Sequence, residues 1–207
     1  MEAKICGIKD SYVLKYIINH NKSPKFIGFI VNYTKSKRYI ELDKLKKLID
    51  TEKIEINFVA VLVNPEEEIL EKIKNLSFEY YQLYDVDPER TKFIKKKYNK
   101  KIISALTIEN KNDVEKYKDY ELISDIILFD GKGYEESIGF DHGLLKDIPN
   151  YITKMLAGNI QYNDKLDKYS EITDIIDISG SLETLGKKDI SKIDIFLENI
   201  SRIKNAN

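Results

Sequence analysis

Three ionisable side chains near the ends of apolar runs are the residues best suited to chemistry in this sequence. Cys6 lies in KICGI, Asp130 ends IILFD and Asp177 lies in DIIDIS. A thiol can act as a base or nucleophile, and a carboxylic acid can donate a proton. Lys4 lies two residues before Cys6, so on a strand both side chains face the same side, where an ammonium favours the thiolate. The pattern favours acid–base chemistry, with a buried structural thiol as the alternative.

Short apolar runs rich in β-branched residues recur along the chain and predict strands. None of them alternates strictly, which is typical of parallel strands buried on both faces. The segments between them have helical spacing, as in SYVLKYIIN, in PEEEILEKIKNL with Pro65 in its first turn, and in DISKIDIFLENISRI with Asp189 as its cap. The runs occupy residues 3–8, 26–31, 58–63, 78–83, 101–106, 125–129, 152–157 and 174–179.

Eight strands that alternate with helices within 207 residues predict an α/β fold, a single-domain (β/α)8 TIM barrel, with residues 1–207 as one catalytic domain. A doubly wound open sheet is the alternative, but no Gly-x-Gly-x-x-Gly pattern follows the first run. In a barrel the carboxyl-terminal ends of all strands meet at one mouth. We therefore expect Cys6, Gln82, Asp130 and Asp177 to lie close together.

The loops after the seventh and eighth runs predict a phosphate site. MLAGN and DISGS contain small residues, which allow backbone N–H groups to approach an anion closely. These two loops form the usual phosphate cradle of such barrels, and a short helix starting near Leu182 would add its positive end. An ordinary tight turn is the alternative for either loop alone.

Charge and composition limit the classes of partner. The chain has 34 basic and 35 acidic residues and a net charge of −1, which provides no field for a polyanion. We interpret the basic run FIKKKYNKK as a solvated helix face, with nucleic-acid binding as the alternative. A lone cysteine cannot form an internal disulfide, and no apolar run resembles a signal peptide or a membrane span. We expect a cytoplasmic protein without nucleic-acid or membrane partners.

Seven motifs in order resemble those of the phosphoribosylanthranilate isomerase family, over essentially the whole chain. KICGI resembles the first-strand signature of that family, VAVLVN its third strand, YYQLYD its fourth strand and MLAGN its strand-7 loop. KSKRYI resembles the loop after strand 2, IILFD carries the strand-6 aspartate, and IDISGSLETLGKKD resembles the stretch at strand 8. One such match is weak, whereas seven in order identify the chain as a member.

The resemblance implies a reaction of tryptophan biosynthesis that needs no cofactor and no metal. It is the Amadori rearrangement of N-(5-phosphoribosyl)anthranilate to 1-(2-carboxyphenylamino)-1-deoxyribulose 5-phosphate, an intramolecular aldose–ketose isomerisation. Asp130, at the family's acid position, would protonate the furanose ring oxygen as the ring opens to a Schiff base. Cys6, at the family's base position, would then remove the proton from C2′.

The resemblance also assigns residues that bind this phosphosugar. Arg38 would face the anthranilate carboxylate, for which a planar guanidinium offers paired donors. Asp177 would hold a sugar hydroxyl. The remaining assignments are Gln82 and Tyr84 to the substrate, and the amides around Gly158, Asn159, Gly180 and Ser181 to the phosphate.

Some motifs depart from the family pattern. Tyr84 stands where the family has histidine, which retains a donor but removes a titratable group. Asn159 replaces a glycine, although asparagine tolerates a left-handed backbone better than most residues. YEESIG at 134–139 replaces the glycine-rich loop that covers the substrate after strand 6. This last difference motivates one alternative function, a non-catalytic phosphosugar-binding barrel. We expect a monomer or a homodimer.

Overall fold

The computed structural model of the protein describes residues 1–51, 55–133 and 139–204. Eight parallel strands in chain order close into a barrel, because the first strand pairs with both the second and the last. The predicted (β/α)8 barrel and all eight predicted strands are therefore confirmed. The strands are β1 (Glu2–Cys6), β2 (Phe26–Ile30), β3 (Asn57–Val63), β4 (Tyr80–Tyr84), β5 (Lys101–Ile108), β6 (Ile126–Gly131), β7 (Lys154–Leu156) and β8 (Ile175–Ile178).

Helices follow the first five strands and the last strand. They are α1 (Ser11–Ile18), α2 (Leu42–Ile49), α3 (Glu67–Ile73), α4 (Pro88–Tyr98), α5 (Lys111–Glu115), α6 (Tyr117–Tyr120) and α7 (Ile190–Lys204). Asp189 caps α7 as predicted, since its Oδ1 accepts from the backbone N–H of Ser191 at 3.0 Å. Pro65, however, precedes α3 instead of lying in its first turn, because Glu66 is still extended with ψ at 161°.

The connections after β6 and β7 differ from the predicted pattern. Among the described residues, each contains a short 3₁₀ helix, at His142–Leu145 and Leu166–Tyr169, in place of an α-helix. After β7 the chain buries Leu166, Tyr169 and Ile172, a spacing of three residues that matches the three residues per turn of a 3₁₀ helix.

The helix predicted to start near Leu182 is also wrong in its placement. A 3₁₀ turn at Gly180–Leu182 ends there, and the chain continues into a two-stranded hairpin, β9 (Glu183–Thr184) and β10 (Lys187–Lys188). The positive φ angles of Leu185 (51°) and Gly186 (73°) reverse the chain at once, so a longer helix cannot form at this point.

Apolar side chains fill two layers, one inside the barrel and one between the strands and the helices. On β3, Val59 and Val61 point into the barrel, whereas Phe58 and Leu62 point outward to the helices. This division follows from the two-residue period of a strand, and it explains why strands buried on both faces lack polar alternation. Within the described part of the chain, no helix is both long and apolar enough to cross a membrane.

Substitution of Phe58 tests the packing of the layer between the strands and the helices. This side chain is fully buried and packs edge-on against Phe29, with ring centroids 5.2 Å apart. We expect Phe58→Ala to lower the free energy of unfolding by about 3–5 kcal/mol, because it removes buried area and leaves a cavity. Leu122→Ala is the control, since Leu122 is 95% exposed. Equilibrium urea unfolding measures both, and equal losses would contradict the packing described.

Candidate active site

A cavity of about 510 Å³ opens at the carboxyl-terminal mouth of the barrel. It is lined by all but one of the residues predicted from the sequence, namely Cys6, Arg38, Tyr84, Asp130, Gly158, Asn159, Asp177, Gly180 and Ser181. Gln82 is the exception, because it is buried and donates from Nε2 to the hydroxyl of Tyr84 at 3.3 Å. Side chains from strands across the whole sequence therefore meet at one site, as the barrel prediction required.

A buried ion pair lies at the centre of the site. Nζ of Lys4 is 2.7 Å from Oδ2 of Asp177, and the two side chains are 0% and 6% exposed. The two residues are register partners on β1 and β8, so the pair spans the seam where the barrel closes. Oδ1 of Asp177 is buried and has no hydrogen-bond partner among the described residues, which leaves this oxygen for a ligand.

The sequence placed Lys4 and Cys6 on one side of β1, and both point into the barrel. Burial would lower the pKa of Lys4, but Asp177 and the Cys6 thiolate outweigh burial and raise it. Burial raises the pKa of Asp177, and Lys4 offsets only part of that rise. Burial also raises the pKa of Cys6, although Lys4 acts against it. Lys4 thus favours the Cys6 thiolate as expected, but its effect is smaller than that of burial, and the charge of Asp177 adds to the rise in the pKa of Cys6.

Gly28 on β2 provides the space for this cluster. It is the register partner of Cys6. A Cβ atom at Gly28 would lie 2.8 Å from Sγ of Cys6, closer than real Cβ contacts, and 3.1 Å from Nζ of Lys4, which is tighter than most. A larger residue at this position would therefore displace the thiol or the ammonium.

Tyr84 links the fourth strand to the sixth. Its hydroxyl donates to Oδ2 of Asp130 at 2.9 Å. Burial, followed by the charge of Asp130, raises the pKa of Tyr84 well above its ordinary value. The phenol therefore stays protonated, which is consistent with the donor that the sequence predicted in place of a histidine.

Arg38 contacts an internal carboxylate that the sequence reasoning missed. Its Nε and Nη2 donate to the two carboxylate oxygens of Glu183 at 2.6 and 3.1 Å, and Lys188 donates to the same carboxylate at 2.9 Å. Burial would raise the pKa of Glu183, but Arg38 and Lys188 outweigh it and lower it. Glu183 and Lys188 both lie in the stretch IDISGSLETLGKKD. The motif therefore identified this segment of the chain, but it did not predict that Glu183 pairs with Arg38.

Arg38 separates the mouth cavity from a second cavity of about 580 Å³, which it also lines. Its side chain packs on the backbone of Gly7, where an added Cβ would lie 2.5 Å from Cδ of Arg38. The φ angle of Gly7 is +77°, a second reason for glycine at this position. Gly7 therefore makes room for Arg38.

The two loops predicted to bind phosphate line the same cavity. Gly158 and Asn159 have φ angles of +96° and +53°, so consecutive left-handed residues turn the backbone of this loop as predicted for Asn159. Such turns present neighbouring N–H groups to an anion. In the other loop, Oγ of Ser181 is buried without a hydrogen-bond partner among residues 1–51, 55–133 and 139–204.

Two further sequence features have different outcomes. Of YEESIG, residues 134–138 lie outside the described residues, so the structure describes only Gly139. Within FIKKKYNKK, Lys95 lies 2.9 Å from Asp125 and Lys97 lies 3.0 Å from Glu71. These lysines therefore pair with carboxylates of neighbouring elements, which fits the interpretation of a solvated helix face.

The fold and the site define a (β/α)8 barrel whose ionisable side chains converge at the carboxyl-terminal mouth. The family model for N-(5′-phosphoribosyl)anthranilate (PRA) isomerase matches residues 3–199. A relative with this enzyme name from Clostridium acetobutylicum is 32% identical and covers 99% of this chain and 100% of its own length. Another from Agrobacterium fabrum is 30% identical over 95% of this chain and 93% of its own. The chain belongs to the PRA isomerase family.

Solved structures agree with this assignment. The phosphoribosyl anthranilate isomerase of Thermotoga maritima has a TM-score of 0.87 at 25% identity, with 98% of this chain and 99% of that chain covered. A phosphoribosyl anthranilate isomerase in complex with reduced 1-(o-carboxyphenylamino)-1-deoxyribulose 5-phosphate has a TM-score of 0.84 at 24% identity, with the same coverage. The fold is therefore shared along the whole barrel.

The buried cluster leads to a prediction about the only thiol in the chain. We expect Lys4→Met to slow the alkylation of Cys6 by iodoacetamide at every pH below full ionisation. The reason is that Lys4 is the main influence opposing burial, so the pKa of Cys6 rises further without it. Because Cys6 is the sole cysteine, bulk alkylation rates report on it alone.

Lys15→Met is the matched control, since Lys15 is exposed on α1. Its alkylation curve should coincide with that of the wild type. A Lys4→Met curve unchanged from the wild type, in protein whose circular dichroism is native, would contradict the electrostatic coupling of Lys4 to the thiol.

Proposed function

We propose that this chain catalyses the Amadori rearrangement of N-(5′-phosphoribosyl)anthranilate, with Asp130 as general acid and Cys6 as general base. The observation that carries the proposal is the position of both groups on one cavity, at the mouth ends of β1 and β6. These strands are separated by β7 and β8, so the two groups can act on a sugar from different sides. Membership of the family supports the same reaction.

Asp130 acts in the first step, the opening of the furanose ring. The protonated carboxyl donates its hydrogen to the ring oxygen while the bond between C1′ and that oxygen breaks. The nitrogen lone pair forms a double bond to C1′ and gives a cationic Schiff base. The hydrogen becomes part of the C4′ hydroxyl, and Asp130 is left as a carboxylate.

Cys6 acts in the second step, the loss of the C2′ hydrogen. The thiolate takes this proton, the electrons of the C2′–H bond form a C1′=C2′ double bond, and the Schiff-base electrons return to nitrogen. The enolamine then tautomerises, with a proton added at C1′ and the C2′ hydroxyl hydrogen released, to give the ketone. Lys4 supports this step, because it opposes the effect of burial on the pKa of Cys6 and so favours the thiolate that takes the proton.

Other cavity residues fit the groups of this substrate. Oδ1 of Asp177 is available to accept from a sugar hydroxyl, while Oδ2 is held by Lys4. Arg38 lies on the cavity wall for the anthranilate carboxylate, with Glu183 fixing its orientation. We assign the phosphate to the loops at Gly158–Asn159 and Gly180–Ser181. The product-like compound in the related structure supports a phosphosugar ligand of this kind.

The assembly state stays a prediction of monomer or homodimer. One solved relative with 24% identity is a monomer form of the dimeric Thermotoga maritima enzyme.

We expect Cys6→Ala and Asp130→Asn each to lower kcat by about 100- to 10,000-fold, the usual contribution of a positioned base or acid. Conversion of N-(5′-phosphoribosyl)anthranilate by purified protein measures the loss. The control is Asp125→Asn, the same chemical change next to β6 but near the opposite end of the barrel, where Asp125 pairs with Lys95. This control should retain the wild-type rate.

A near-wild-type rate in Cys6→Ala or Asp130→Asn would refute the role given to that residue. The alternative, a non-catalytic phosphosugar-binding barrel, predicts something different. In that case the wild-type protein would bind the reduced product but convert no substrate.

A further inference from the structure

The hydroxyl of Tyr84 contacts Asp130 across an intervening strand. Tyr84 lies at the end of β4 and Asp130 near the end of β6, with β5 between them. The register partner of Tyr84 on β5 is Ala105. Because this side chain is small, the tyrosine ring can reach over β5, and its hydroxyl lies 2.9 Å from Oδ2 of Asp130.

Gln82 sets the direction of this hydrogen bond. It lies two residues before Tyr84 on the same face of β4, fully buried, and Nε2 donates to the Tyr84 hydroxyl at 3.3 Å. An amide nitrogen can only donate, so the tyrosine oxygen accepts there and directs its own hydrogen toward Asp130. The result is a one-way chain of donors from Gln82 through Tyr84 to the carboxyl.

A one-way chain has a chemical consequence for a carboxylic acid. In the protonated acid, the carbonyl oxygen is the better acceptor and the other oxygen carries the hydrogen. A fixed donor at Oδ2 therefore favours the tautomer with the hydrogen on Oδ1, and it also restricts rotation of the carboxyl. The phenol can hold this role because burial keeps it protonated.

We propose that Tyr84, supported by Gln82, is a positioning residue that holds Oδ2 of Asp130 and directs the acidic hydrogen of Asp130 to Oδ1 for delivery to the sugar ring oxygen. This inference rests on the acid role proposed above for Asp130. In this proposal Tyr84 and Gln82 act through Asp130, whereas the sequence predicted that both contact the substrate directly. Substrate affinity should then depend little on the Tyr84 hydroxyl.

A double-mutant cycle between Tyr84→Phe and Asp130→Asn tests the proposal, with single-turnover rates measured at excess enzyme. In the wild-type background we expect Tyr84→Phe to lower the rate about 10- to 100-fold, with KM changed less than about twofold. In the Asp130→Asn background we expect the same change to alter the rate less than about twofold, because the acid it positions is gone. Affinity for the reduced product should stay the same throughout.

Two further variants complete the design. Tyr80→Phe is the matched control, the same change on the same strand, where the Tyr80 ring packs edge-on against Phe26 with centroids 5.4 Å apart. It should retain the wild-type rate and unfolding temperature. Tyr84→His restores a donor at the position and should recover part of the rate, which a change of packing alone would not predict.

The outcomes separate the two proposals. Equal losses from Tyr84→Phe in both backgrounds, or a KM rise with kcat unchanged, would overturn the positioning role while leaving Asp130 as the acid. An undiminished rate in Asp130→Asn by itself would overturn the proposed acid. A loss in Tyr84→Phe that disappears in Asp130→Asn supports both.

Discussion

The ion pair between Lys4 and Asp177 couples the closure of the barrel to the electrostatics of the site. It is buried, its atoms are 2.7 Å apart, and it joins the first and last strands of the barrel. Removing one partner of such a pair costs about 3–5 kcal/mol, because a charge is left buried without compensation. The same pair sets the electrostatics around Cys6. The pair therefore contributes both to the closure of the barrel between β1 and β8 and to the electrostatics at the mouth.

The surrounding residues preserve this arrangement. Gly28 leaves room for the thiol and the ammonium, and Ser179 donates from Oγ to the backbone carbonyl of Cys6 at 3.0 Å. Lys188 then donates to the carbonyl of Ser179 at 2.9 Å and also to Glu183. These contacts connect the ends of β1 and β8 to the hairpin that follows. Cys6 is thus held by a network that begins in the strand seam and ends at Arg38.

Much of the fold and of the candidate site could be predicted from the sequence. Strands buried on both faces leave β-branched runs without alternation, so the eight strands and their closure followed from local patterns. The carboxyl-terminal ends then had to converge, which placed Cys6, Asp130 and Asp177 together. The two-residue period of a strand was enough to predict that the side chains of Lys4 and Cys6 face the same side of β1.

Other features depended on contacts between distant segments. Burial in the closed barrel, and then the charge of Asp177 across the seam, raise the pKa of Cys6, and neither could be read from two neighbouring residues of β1. Glu183 meets Arg38 from a position 145 residues away in the chain. The 3₁₀ helix in the connection after β7 reflects which residues the barrel buries, and the sequence alone does not show which residues of that segment are buried.

The central claim is that Asp130 opens the ring and that Cys6 then removes the C2′ hydrogen. The most direct test is the kinetic isotope effect on single-turnover conversion of substrate deuterated at C2′, in Cys6→Ser and in Asp130→Asn. A serine hydroxyl is far less ionised than a thiol, so Cys6→Ser makes hydrogen removal more rate-limiting, whereas a missing acid makes ring opening more rate-limiting. We expect a larger isotope effect in Cys6→Ser than in the wild type, and one close to unity in Asp130→Asn. The reverse order, or equal effects in both variants, would contradict it.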